Sequence, residues 1–290
     1  NLITGFGEPC GRALTSHPMV DKVAFTGGVD TARHVVANTV HNLAPVSLEL
    51  GGKSPILVFD DADFESAVNG AVAGNFGASG QSCVAGSRVF VQSGIHDEFV
   101  AEVVRRAEQI RIGDPLDAET QMGPLATQAQ RDRIESVVAE STAQGATLHT
   151  GGGRPDGLDS GWYYRPTVLG CPDQDVRSTR VELFGPVMSV LKFNTEDEAV
   201  AMANDTEFGL GAGIFTRDVS RVHRVTRAIR SGIVWVNTYR AISPIAPFGG
   251  FGNSGSGREA GVDAIHEFTT TKTVWINTST EPMANPFTIR

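Results

Sequence analysis

Two side chains in this sequence stand where chemistry would need them: the thiol of Cys83 and the carboxyl of Glu49. Cys83 lies in Gly77-Ala78-Ser79-Gly80-Gln81-Ser82-Cys83-Val84-Ala85-Gly86-Ser87-Arg88, a run of small residues between a helical and a strand-like pattern. Glycines there let backbone approach closely and leave room for a substrate beside the sulfur. A free thiol has a pKa of about 8.5, so nucleophilic catalysis at neutral pH needs an electropositive or hydrogen-bonded setting. The competing reading is a buried small hydrophobe. Glu49 sits in Val46-Ser47-Leu48-Glu49-Leu50-Gly51-Gly52-Lys53-Ser54-Pro55, at the end of an apolar strand. Burial there would raise its pKa toward the range of a general base. A structural ion pair with Lys53 explains the same residues equally well.

Weaker signals surround these two. The turn Phe25-Thr26-Gly27-Gly28, strand before and helix after, could meet a phosphate at a helix N-terminus, although it is neither G-x-G-x-x-G nor a Walker sequence. Arg217, Arg221, Arg224, Arg227 and Arg230 recur along one helix, which reads as a solvated face. Cys10, Cys83 and Cys171 show no C-x-x-C or Cys/His ligand spacing, so no metal site and no disulfide framework is expected. A reducing, cytoplasmic setting follows as the default.

The elements that must position these groups alternate. Leu2 to Thr4, Val23 to Phe25 and Val46 to Leu50 read as strands, with a helix from Asp30 to about His41 between the last two. Asp30 is read as its cap, with Val35 and Val36 on the buried side. Further helices are expected over 63–76, 98–110, 128–144 and 218–231, and one capped by Thr195 and Glu198. Strands are expected over 87–92, 187–193, 233–236 and, β-branched and aromatic, over 269–276. The fold class is therefore α/β with parallel βαβ units.

Composition sets the outer limits. The chain has 290 residues, 40% hydrophobic and 20% charged, which is ordinary for a globular protein. Lys plus Arg 24 against Asp plus Glu 33 leaves a net charge of −9, which argues against nucleic acid or an anionic membrane as main partner. No apolar run approaches the roughly 18 residues of a membrane span. Only three strands precede Gly51, whereas an open dinucleotide-binding sheet needs about five or six, so the first unit looks cut in half.

Taken together, the motifs resemble the aldehyde dehydrogenase superfamily. Leu48-Glu49-Leu50-Gly51-Gly52-Lys53-Ser54-Pro55, with Cys83 lying 34 residues after its Glu, is similar to the family's two active-site signatures. Phe25-Thr26-Gly27-Gly28, Glu182-Leu183-Phe184-Gly185-Pro186-Val187, Trp235-Val236-Asn237-Thr238 and Pro247-Phe248-Gly249-Gly250-Phe251 also match. So do Ser254-Gly255, Gly257-Arg258-Glu259 and the late Lys272-Thr273-Val274-Trp275. The likeness covers essentially the whole chain, in order. It implies a partial Rossmann-like cofactor unit over 1–51, a catalytic α/β domain over 52–245, and a return over 246–290 ending in an oligomerisation strand.

The resemblance also implies roles. Cys83 would attack the aldehyde carbonyl to give a thiohemiacetal, its own backbone N–H helping to form the oxyanion hole. Loss of hydride to the nicotinamide would leave a thioester, and Glu49 would activate the water that hydrolyses it. Glu182 would hold the nicotinamide ribose, Phe184 would pack beside the ring, Gly27 and Gly28 would line the dinucleotide, and Leu50 would stand near the carboxamide. The cofactor would be NAD or NADP, with NAD favoured, and the partner a small aldehyde. The whole enzyme would be a homodimer or homotetramer.

There are departures. Gly28 stands where the family often has Ser, and Ala32 where it often has Gly. The family's Trp-Asn-Phe-Pro segment, oxyanion-hole Asn and ribose-binding Lys would all precede Asn1, so the chain is expected to be a fragment, poor at turnover alone. Two further readings remain within this fold: a CoA-acylating semialdehyde dehydrogenase, which usually lacks the Glu, and a non-catalytic structural or binding protein. A thiol peptidase would need a His near Cys83 and would leave Glu182 to Pro186 unexplained. Ser82 and Val84 flank the nucleophile and Tyr239 to Ile245 are placed along the aldehyde tunnel, but small neutral residues do not name a substrate.

Overall fold

The computed structural model describes residues 1–288 and contains two sheets. The smaller is built from β1 (Val23–Thr26), β2 (Val46–Glu49) and β10 (Gly255–Ser256), in the order β1-β2-β10. A short helix α1 (Arg12–Thr15) precedes it, and α2 (Val29–Asn38) crosses from β1 to its parallel neighbour β2. The chain returns at its far end, where β10 pairs antiparallel with β2 and sets Gly255 opposite Glu49.

The larger sheet has the order β5-β6-β7-β4-β3-β8-β9. Its strands are β3 (Pro55–Val58), β4 (Arg88–Gln92), β5 (Thr147–Thr150), β6 (Thr167–Gly170), β7 (Val187–Phe193), β8 (Gly211–Phe215) and β9 (Ile233–Val236). All neighbours are parallel except the edge pair β5–β6. The connecting helices are α3 (Phe64–Phe76), α4 (His96–Glu108), α5 (Gln128–Ala143), α6 (Arg177–Arg180), α7 (Glu196–Asn204) and α8 (Val219–Ala228); α9 (Asp263–Glu267) follows late in the chain.

Strand side chains alternate between faces, and both faces here are apolar because helices cover both. Along β3, Ile56 and Val58 join Val68, Val89 and Phe99 in the core under α3 and α4. Leu57 and Phe59 join Phe90, Ile134, Leu191 and Val225 in the core under α5, α7 and α8. The helix starts are set by caps: Asp63, Thr127, Thr195 and Asp218 each accept a hydrogen bond from a backbone N–H three residues on. Glu198 in turn accepts from the backbone N–H of Asn194, one residue before the cap.

Several expectations need correction. Helix α2 begins after Gly28, not at Asp30, which lies in the first turn and pairs with Arg33 at 2.7 Å. Val35 is buried but Val36 is exposed, since successive helical residues lie about 100° apart. Residues 2–4 and 269–276 are not strands; Trp275 is 93% exposed, with Val274 and Ile276 beside it also exposed. Strand propensity makes a strand only where a neighbour offers its ladder, and neither segment has one here. The arginine-rich helix is not wholly solvated: Arg221 pairs with Asp61 at 2.8 Å and lies over the Phe59 ring, and Arg224 pairs with Glu196 at 2.7 Å.

Topology brings the candidate residues together. Cys83 lies just before β4 and Gly52 just before β3, and those strands are parallel neighbours, so both sit at the amino-terminal edge of the larger sheet. Glu49 is the last residue of β2 in the smaller sheet, and Gly51 to Ser54 carry the chain across. Arg88, fully buried at the start of β4, fixes this crossing. Its Nε donates to the Lys53 carbonyl at 2.9 Å and its other nitrogens to the carbonyls of Met202 and Ala203 at the end of α7.

Candidate active site

Cys83 occupies a tight turn closed by the Ala85 N–H donating to the Ser82 carbonyl at 3.0 Å. The thiol is half-buried and packs against the cluster of Val84, Leu210 and Trp235. Burial pushes its pKa up, and the carboxylates of Glu182 and Glu49 push it further; the backbone N–H groups of Val84 and Cys83 pull the other way. The setting is therefore not the electropositive one that would make a resting thiolate. A group that takes the proton is required instead.

Glu49 has the chemistry for that role. It is 6% exposed, and its Oε2 has no hydrogen-bond partner among the described residues. Burial, reinforced by the charge of Glu259 and offset by Arg258, raises its pKa to about 7. The alternative pairing with Lys53 does not occur among the described residues. Glu49 is held by backbone alone: it pairs with Thr26 and Gly255, and its carbonyl accepts from Gly27 N–H at 3.1 Å.

Glu182 lies over the crossing between the sheets. Its Oε1 accepts from the Gly52 N–H at 3.1 Å, and a Cβ on Gly51 would fall 2.1 Å from its Oε2. A Cβ on Gly52 would fall 2.7 Å from the Cys83 carbonyl oxygen. Gly51 and Gly52 are thus the only backbone thin enough to let Glu182 and the Cys83 turn approach one another across it. Burial raises the Glu182 pKa, against the Gly52 N–H and the charges of Lys53 and Arg133.

The same carboxylate lines a hollow of about 490 Å³ with Gly28, Asp30, Thr31, Arg33, Arg133 and Phe208. Gly28 leaves the α2 N-terminus without a side-chain cap, and a Cβ there would meet nothing within 4 Å. An open helix N-terminus facing a carboxylate fits a dinucleotide, phosphate at the first and ribose at the second. The remaining candidates fall elsewhere. Gly27 packs on the Phe25 ring, and Leu50 lines an apolar hollow of about 470 Å³ on the side of α2 that faces Gly252 to Ser256. Phe184 is exposed at φ +51°, held by Gln130 Nε2 donating to its carbonyl and to that of Leu183.

Family models and solved structures decide what this arrangement belongs to: residues 1–274 match the model of the aldehyde dehydrogenase family. The chain belongs to that family. This aldehyde dehydrogenase chain is 54% identical, over its whole length, to a (Z)-2-((N-methylformamido)methylene)-5-hydroxybutyrolactone dehydrogenase of Acinetobacter baylyi, covering 59% of that protein. It is 49% identical over 95% of its length to a betaine aldehyde dehydrogenase of Brucella anthropi, covering 57% of it. A crystal structure of betaine aldehyde dehydrogenase from Staphylococcus aureus in complex with NAD+ superposes with a TM-score of 0.96 at 40% identity, over 99% of this chain and 57% of that one. The chain therefore spans about three-fifths of the length of the curated relatives it matches.

Two residues at the crossing were not singled out as functional from the sequence. Ser254 anchors the crossing, its hydroxyl donating to the Gly51 carbonyl at 2.7 Å and accepting from Gly209 N–H at 3.0 Å. The glycine density around it was the available signal. Lys53 is 1% exposed and its Nζ has no partner among the described residues; burial, with Arg88 nearby, lowers its pKa from 10.5 to about 7. The unfolded chain binds this proton more tightly than the folded one between those values. The resulting penalty is complete below pH 7, shrinks as pH rises, and is gone above 10.5. Lys53→Met is expected to stabilise the protein by about 1–3 kcal/mol at pH 7, with a smaller gain at pH 10. Melts at both pH values check this; a loss at pH 7 would mean that attraction to Glu182 outweighs desolvation.

Proposed function

We propose that the protein, in its full length, oxidises an aldehyde to the carboxylic acid with NAD(P)+, Cys83 being the nucleophile and Glu49 the general base. The observation that carries this is that Glu49 lies near enough for its charge to act on the Cys83 thiol, at the crossing where Gly52 packs against the Cys83 carbonyl. Burial pushes the thiol pKa up, so the thiol rests protonated at neutral pH, and Glu49, its pKa raised to about 7, is a better base than an ordinary carboxylate for taking that proton. The thiol adds to the carbonyl carbon, its proton leaving toward Glu49, and the alkoxide oxygen faces the N–H groups of the Cys83 turn. NAD(P)+, when bound, supplies the acceptor for the aldehyde hydrogen. Glu49 gives up the thiol proton to solvent and then takes a proton from water as that water attacks the thioester; the C–S bond breaks, the departing thiolate recovers a proton from Glu49, and the acid leaves.

Glu182 and Gly28 hold the cofactor, with Gly27, Leu50 and Phe184 in supporting positions. NAD is favoured over NADP because the Staphylococcus aureus relative was solved with NAD+. Hydrolysis is favoured over transfer to CoA because a buried carboxyl with its pKa raised to about 7 lies near enough for its charge to act on the thiol. Three free cysteines suit a reducing cytoplasmic setting, and among the described residues no helix is long and apolar enough to cross a membrane. The exposed Val274, Trp275 and Ile276, with their unpaired backbone, suit strand addition to another copy in a homodimer or homotetramer.

The test is direct. The full-length protein is mixed with NAD+ and propanal, quenched in acid and digested. An acyl adduct on the peptide carrying Cys83 is expected. NADH formation with the adduct on Cys10 or Cys171, or an NADH burst from Glu49→Gln that leaves no adduct on the Cys83 peptide, would remove the proposed mechanism.

A further inference from the structure

Tyr239 is separated from Cys83 by about half of the chain, yet its hydroxyl donates to the carbonyl of Val84, the residue after the nucleophile, at 3.0 Å. Among the described residues no other side chain is hydrogen-bonded to the turn Ser82 to Ala85. The ring itself is set in a socket made by three glycines. A Cβ on Gly74 of α3 would fall 2.7 Å from the ring, on Gly213 of β8 also 2.7 Å, and on Gly86 of the nucleophile loop 3.2 Å. The Trp235 ring closes the socket, its centroid 4.8 Å from that of Tyr239.

Local backbone delivers the side chain there. Chain leaving β9 would continue past the sheet edge, but Asn237 turns it at φ +53°. The turn is held by its own side chain, which accepts from Thr216 N–H and donates to the Thr216 carbonyl, both at 3.0 Å. Asn is among the few residues that take this left-handed conformation readily. Trp235 Nε1 donates to the Ala241 carbonyl at 2.8 Å, pinning the far side of the turn.

We propose that Tyr239 is a positioning residue for the nucleophile: its hydroxyl fixes the turn that aims the Cys83 sulfur and the neighbouring N–H groups at one reacting carbonyl. This rests on the reading of Cys83 as nucleophile. A turn of four residues with one internal hydrogen bond can rock about its ends. One further bond from a ring locked between three elements stops it, and a displacement of about 1 Å at a nucleophile costs on the order of 100-fold in rate. Burial pushes the phenol pKa up, so the hydroxyl stays a donor throughout the working range.

Tyr239→Phe in the full-length protein removes one oxygen and leaves the ring in its socket. The expected result is a pre-steady-state NADH burst slowed by about 10- to 100-fold, with the aldehyde KM and the NAD+ affinity changed less than about twofold. The Tm is expected to fall by no more than about 4 °C. A purely structural role would lower Tm and leave the burst rate of the surviving enzyme intact. A burst within about twofold of the parent overturns the proposal. So does a variant that fails to fold, since a hydroxyl confined to positioning one turn does not hold up the core. Cys83→Ala, assayed alongside, separates the two ideas: turnover surviving there removes the nucleophile assignment itself, whereas an inert Cys83→Ala with an unaffected Tyr239→Phe removes only the positioning role.

Discussion

Aldehyde oxidation by the full-length protein is expected to fall by at least about 10⁴-fold on Cys83→Ala, with cofactor binding retained. The substitution removes the sulfur and little else. Cys83 contributes one half-buried side chain to a cluster with Val84, Leu210 and Trp235, so the loss of packing is small. Without the thiol the carbonyl has no covalent partner, and the alternative, direct transfer from a hydrated aldehyde, lacks the oriented attack that makes the step unimolecular. Equilibrium titration of NAD(P)+ on the variant, beside steady-state turnover, separates the two effects. Near-normal turnover would mean that some other group opens the reaction. Cys10 and Cys171 are poor substitutes: Cys171 is buried, its thiol against Ser178, and Cys10 lies outside both sheets.

Glu49→Gln should split the reaction into two parts. Gln keeps the size of the side chain but cannot take a proton, so hydrolysis of the thioester is expected to slow by about 10²- to 10⁴-fold. The first turnover, which forms the thioester, should persist as a burst of NAD(P)H. The pH dependence follows from the same carboxyl. Its pKa is raised to about 7, so it is protonated and idle as a base below that value and ionised above it. Steady-state rate should therefore rise with pH through about 7 and level off, and the variant should lose that limb. If the burst vanished together with turnover, Glu49 would act earlier, by taking the thiol proton of Cys83. That outcome has a physical basis, because the Cys83 thiol pKa is raised and needs an acceptor.

Much of the scaffold was legible because it is written locally. Thr195, Asp218 and Asp63 cap helices through groups three residues away, and the apolar run over 187–193 forms the expected strand, whereas β3 (Pro55–Val58), apolar on both faces, was not among the expected strands. The errors arise where structure depends on a distant partner. Residues 269–276 have strand composition but no neighbouring ladder in this chain, and Asp30 resembles a cap although Gly28 ends the turn first.

The site divides along the same line. Residue types alone marked Cys83 and Glu49, since a thiol in a glycine-rich loop and a carboxylate at an apolar strand end are costly to place without a use, whereas Glu182 came only from the family resemblance. The order of motifs along the chain was enough to reveal the family. Only the tertiary structure decided whether Glu49 pairs with Lys53 or stands alone, because its pKa depends on burial and on Arg258 and Glu259, far along the chain. It also decided that Gly51 and Gly52 form the thin wall between Glu182 and the Cys83 turn, and that Tyr239 reaches the nucleophile from the end of the sheet. Sequence carries chemistry in the side chain. Distance, desolvation and field arise only when remote segments pack, and those three set whether the chemistry can run.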